Sequence, residues 1–164
     1  MKLQRRIAPF SLLILVPLAL ASGNSYLDLV GQLFGSVESP RLIRDFCATR
    51  SPDTASGNAK LYDDWQSRHA ELLEGVAIQV AHADVRLRRQ NPPTDARSFD
   101  EIRANMKVKL EETLQQNSPE WISQFCTMYP KYIEKKDEEA RTTIKQLLST
   151  VEAEDKELAS REKT

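Results

Sequence analysis

The chain has 164 residues, with 23 basic and 24 acidic side chains, a formal net charge of −1, 5 glycines and 2 cysteines. That balance, without a long basic stripe, argues against a protein whose affinity rests on neutralising nucleic-acid phosphates. So few glycines supply little chemistry for hairpin turns, and no segment sustains apolar alternation; the pattern predicts an all-α fold, a small helical bundle of about five or six helices.

Lys2, Arg5 and Arg6 precede an apolar run from Ile7 to Leu20, which closes on Ala19-Leu20-Ala21 and Ser22. A basic start, a short apolar centre and a small-residue exit is the order of a secretory signal peptide, with cleavage expected after Ala21. The run is shorter than the ~20 residues a membrane-spanning helix needs, and it holds Pro9 and Pro17. Cys47 is the first cysteine, so no acylated cysteine of a bacterial lipoprotein follows the run. The expectation is a leader over 1–21 and one all-α domain over 22–164, periplasmic or secreted and not inserted in a membrane. Losing Lys2, Arg5 and Arg6 leaves 20 basic against 24 acidic side chains, a mature charge near −4.

Tyr26, Leu29, Val30, Leu33 and Phe34 recur at helical spacing and predict a first short helix ending near Gly35. Ser39-Pro40 has the form of a cap followed by proline at the first helical position, predicting a second helix with Leu42, Ile43, Phe46 and Cys47 on one face. Ser51 to Asn58 is rich in Ser, Pro, Asp, Thr, Gly and Asn and predicts a loop. Leu61, Trp65, His69, Leu72, Val76, Val80, Ala83 and Leu87 then advance by threes and fours as one long helix. Val76, Ile78 and Val80 also alternate as a strand would, but the helical register on both sides decides against a strand. Gly75 inside it costs up to about 1 kcal/mol relative to alanine and marks a kink or a close helix contact.

Asn91-Pro92-Pro93 ends that helix, and Ser98-Phe99-Asp100-Glu101 forms a capping box that opens another, with Ile102, Met106, Leu110 and Leu114 inward. Ser118-Pro119 starts the next, turning Trp121, Ile122, Phe125, Cys126 and Tyr129 inward until Pro130 breaks or kinks it. The charged last helix, from about 131, carries Ile133, Ala140, Ile144, Leu147, Leu148, Val151 and Leu158 and is expected to fray after Leu158. Its heptad is broken at Glu154, which favours packing within the chain over a coiled coil with another.

Residues 39–47 and 118–126 match at serine, proline, isoleucine, phenylalanine and cysteine. The echo is far shorter than the ~20-residue minimum of recognised repeats, so two similarly capped helices explain it better than a duplication. Both cysteines fall on apolar faces. An even count in an exported chain predicts a Cys47–Cys126 disulfide. Closing so long a loop is worth at most about 4 to 5 kcal/mol. A redox pair would want C-x-x-C, and a zinc site two further ligands at short spacing.

His69 and His82 are the only histidines, 13 positions apart on one predicted helix, and at ~100° per residue they diverge by about 140°. They cannot share a metal from that helix; His69 lies on the apolar stripe beside Trp65 and Leu72, and His82 faces solvent. Asp63-Asp64, Glu111-Glu112 and Glu138-Glu139 are adjacent carboxylates that diverge on a helix. Neither a nucleophile elbow, a phosphate-cradling loop nor a calcium loop is present, so no catalytic, cofactor-binding or metal-ligating residue is assigned and no cofactor is implied. The outline of a leader, Cys47, the Tyr62-x-x-Trp65 helix and a later Phe125-Cys126 helix resembles small two-cysteine exported proteins of proteobacteria without assigned activity, and that resemblance carries over no functional residue. The expected function is a non-enzymatic interaction protein of the bacterial envelope, an inhibitor, immunity-type or accessory factor whose partner is another protein. The alternatives are a chaperone-like or stress-related periplasmic protein, and a small hydrolase using helix-borne carboxylates.

Overall fold

A computed structural model describes residues 25–89 and 98–162. The expected leader with its cleavage site, and the Asn91-Pro92-Pro93 helix stop, lie outside the described residues. Those described are helical almost throughout, as α1 (Ser25–Arg50), α2 (Pro52–Arg68), α3 (Ala70–Arg89), α4 (Phe99–Gln115), α5 (Pro119–Thr127), α6 (Tyr129–Glu139) and α7 (Lys145–Arg161). A π-helical turn, Ala140–Ile144, joins α6 to α7. The all-α bundle anticipated from periodicity is the fold, and among the described residues no helix is long and apolar enough to cross a membrane.

α1 is the axis of the bundle. Tyr26, Leu27, Val30, Leu33, Phe34, Leu42, Ile43, Phe46 and Cys47 point around its whole circumference and are all buried, the pattern of a helix surrounded by others. Every other α-helix packs against it.

The expected break near Gly35 and restart at Ser39-Pro40 do not occur, because α1 runs unbroken through both. Proline in a helix interior leaves the carbonyl four residues earlier without its donor. Here that carbonyl belongs to Ser36, and the Ser39 hydroxyl donates to it at 3.3 Å. Tyr132 in turn donates to Ser39 Oγ at 2.9 Å, and Tyr129 donates to the Pro40 carbonyl at 3.0 Å. Burial pushes the phenols of Tyr129 and Tyr132 well above the ordinary range, so both stay neutral donors.

The predicted loop over 51–58 is instead the start of α2. Pro52 occupies its first turn, Asp53 complements the positive end of the helix, and Thr54 Oγ1 donates to the Ser51 carbonyl at 2.9 Å. Turn-forming residues and helix-opening residues are the same set, and here they open a helix. The long helix over 61–87 is interrupted at His69, the C-cap of α2, so His69 and His82 belong to different segments. Gly75 marks a close approach: a Cβ there would meet Leu148 Cδ2 of α7 at 2.8 Å. α7 runs to Arg161, three residues past the expected fraying point, with an Arg161–Glu157 pair one turn apart in its last stretch.

The π turn explains the inward face of the last rod. Ala140, Ile144 and Leu148 are all buried although each is four residues after the last, a spacing that drifts by about 40° per step on an α-helix. The wider π turn absorbs that drift. The sulfurs of Cys47 and Cys126 lie 2.16 Å apart, at bonding distance, and this disulfide ties α1 to α5 across a separation of 79 residues.

Candidate functional site

A groove of about 310 Å³ opens where α4 lies against the second half of α1. Leu42, Phe46 and Leu110 supply its apolar lining; Arg41, Asp45, Asp100, Arg103, Lys107 and Glu111 supply charge of both signs. Two local features aim these side chains. The continuation of α1 beyond Pro40 carries Arg41, Leu42, Asp45 and Phe46 along one face, and the capping box of α4, with Ser98 Oγ accepting from Glu101 N and Glu101 accepting from Ser98 N, fixes where Asp100 and Arg103 begin.

Glu38, buried on α1, locks the two walls together. Its Oε1 accepts from Arg41 Nε at 2.7 Å and from Arg103 Nε at 3.0 Å. Arg103 also donates to Asp100 at 2.6 Å and stands over the Phe34 ring, 5.3 Å from its centroid. Burial works against the Arg41 charge, but the hydrogen bond and charge of Glu38, with Asp45 beyond, hold its guanidinium above the usual range. A buried carboxylate held by two guanidiniums is a preorganised wall, since charge-assisted hydrogen bonds to one shared oxygen fix both arginines against it. Lys107 and Glu111, by contrast, make no ion pair or hydrogen bond with the described residues.

A second polar system lies along the seam between α3 and α7. Asp155 accepts from Arg86 Nη2 at 2.7 Å, His82 Nδ1 sits 2.7 Å from its other oxygen, and Arg86 reaches on to Glu162. Tyr26 donates to Gln79 at 3.3 Å beneath the Arg86 guanidinium, and its phenol is pushed up to about 12, first by burial and then by the Asp155 charge. The other histidine repeats the arrangement: His69 Nε2 lies 2.8 Å from Asp137 Oδ1, which also accepts from Arg68 at 3.0 Å. Each histidine is therefore matched to its own aspartate on the last rod. Among the described residues no group of three or more His, Cys, Asp or Glu side chains is placed to hold a metal.

Of the residues singled out from sequence, only Cys47 and Cys126 are brought together. Asp63, Asp64, Glu112 and Glu138 are exposed, and Glu139 pairs with Lys136 at 2.6 Å. Glu111 reaches the groove without Glu112. Glu38, Arg41, Arg103 and Asp155 carry no local mark in the sequence, and Arg86, which with Arg88 and Arg89 reads as a solvated basic helix end, is instead largely buried against Asp155. Charged residues at buried helical positions were the available signal, because Asp155 falls one turn beyond Val151 on the α7 seam.

Of the acids at the α1–α4 groove, Glu38, Asp45 and Asp100 are each engaged by a guanidinium and Glu111 is not, while the apolar lining can accept a side chain from outside. No protein-family model, curated protein or solved structure matches the chain.

Proposed function

We propose that the chain is an exported interaction protein of the bacterial envelope that binds a partner protein in the α1–α4 groove, receiving an apolar side chain flanked by charges of both signs. The carrying observation is the combination of an apolar lining from Leu42, Phe46 and Leu110 with a charged rim, the layout of an interface patch with a dry centre and a polar edge. Its volume lies near the lower bound of the ~300–1,000 Å³ typical of small-molecule sites, which suits an inserted side chain better than a cofactor. Lys107 and Glu111 select for an acid and a base on the incoming segment. The buried disulfide suits an oxidising compartment, and the Met1–Ser22 pattern supplies the route of export.

The test is site-specific photo-crosslinking in the native cell envelope. A probe at Lys107 is expected to capture one partner, to lose it when Leu110→Arg places a charge on the lining, and to differ from a probe at exposed Lys145 on α7. The same products from both positions, or capture that survives Leu110→Arg, would count against the groove.

A further inference from the structure

α3 turns a second apolar strip to solvent. Val76, Gln79, Ala83 and Leu87 are its buried face. At ~100° per residue, Glu74, Ile78, Ala81, Val85 and Arg88 fall within an arc of about 80° on the opposite side. All five are exposed, Ile78 at 48% and Val85 at 47%, and their 4-3-4-3 spacing is that of a helix-pairing seam. The strip is also ordered by charge, with Glu71 and Glu74 at its start and Arg88 at its end. None of these three makes an ion pair or hydrogen bond with the described residues.

We infer that this face pairs with the same face of a second copy of the chain, the two α3 helices lying antiparallel about a twofold axis at Ala81. The register follows from the residues. Glu74 and Arg88 are each seven positions from Ala81, about 10 Å along the axis, so an antiparallel mate sets each Glu74 against the other copy's Arg88 at both ends. Ile78 and Val85 then meet across the centre, and the small Ala81 at the axis permits close approach. A parallel pairing would set like charges together at both ends, which is unfavourable. Such an isologous contact is closed and self-complementary, and helix dipoles also favour it. One helix pair is small for an interface, so association on the order of micromolar is expected. The strip shares no residue with the α1–α4 groove, so a dimer would present two grooves.

Sedimentation equilibrium of the purified chain over about 1 to 500 µM, in low salt, reads the mass directly. The expected result is a shift from one chain to two, weakened by salt. Glu74→Arg alone, or Arg88→Glu alone, faces like charges twice per dimer and should weaken association by at least about tenfold. The double exchange E74R/R88E restores opposite charges and should recover most of the loss. Circular dichroism confirms that each variant keeps its helices. A chain that stays monomeric throughout, a dimer indifferent to both single changes, or a double variant no better than the singles would overturn the proposal.

Discussion

Asp155 occupies a position on α7 where the seam of Ile144, Leu148 and Val151 calls for another aliphatic residue. Burial alone would raise its carboxyl, but the hydrogen bonds from Arg86 and His82, and their charges, outweigh it and hold the group below the ordinary carboxylate range. Asp137 is in the same position: burial opposes the charge, and hydrogen bonds from His69 and Arg68 with the charge of Arg141 prevail. A carboxyl lowered in the fold contributes stability that is complete above its unfolded pKa of about 4 and lost as pH falls through the lower folded value. Asp155→Asn should therefore cost about 2 kcal/mol in urea unfolding at pH 7, with the gap from the parent closing as pH drops from about 5 to about 2. A gap that is unchanged across that range would mean the carboxylate charge contributes nothing. The parent residue is also what keeps Arg86, whose side chain is 14% exposed, from being a buried cation without its main partner.

At the scale of elements, α4 packs chiefly against α1, whereas α1 is surrounded by the other helices, and α4 contributes the Lys107 wall of the groove. Its start depends on the Ser98 box, so Ser98→Ala should destabilise the chain by about 1 kcal/mol and raise amide exchange in the first turn of α4, while α1 amides are unaffected. Equal exchange in parent and variant would show that packing of Phe99 and Ile102, not the cap, fixes that end. This start was legible in the sequence because a capping box is complete within four residues. Ser39-Pro40 is as strong a local start signal, yet it lies inside α1: the Ser39 hydroxyl covers the Ser36 carbonyl that the proline leaves without a donor, and the Tyr132 and Tyr129 hydroxyls that hold Ser39 Oγ and the Pro40 carbonyl come from some 90 positions away. The groove was illegible for the same reason: Glu38 and Arg103 are 65 positions apart, and neither stands out until α4 is laid on α1. The two successive steps of four from Ala140 through Ile144 to Leu148 carry a readable sign of the π turn.

At the scale of the whole molecule, the disulfide joins the shortest α-helix to the central one. Cys47 and Cys126 are fully buried, and the Asn58 side-chain amide of α2 donates to the Cys126 carbonyl at 3.3 Å, so α1, α2 and α5 meet at one point. α5 has only nine residues, too few to persist as a helix alone, and it buries little besides Phe125 and Cys126. Two effects of the bond are separable. Restricting the unfolded chain across 79 residues stabilises the native state by at most about 4 to 5 kcal/mol, whereas anchoring α5 acts in the fold itself. The double variant C47A/C126A, which leaves no thiol to bury or oxidise, should lose about 3 to 4 kcal/mol in urea unfolding. Hydrogen exchange then apportions the loss. If protection falls by a similar factor in α1, α3 and α7, the bond works through the unfolded chain; if α5 alone exchanges fast and the global loss is below about 1 kcal/mol, the bond is a local clamp that seats α5 on a bundle already stable without it.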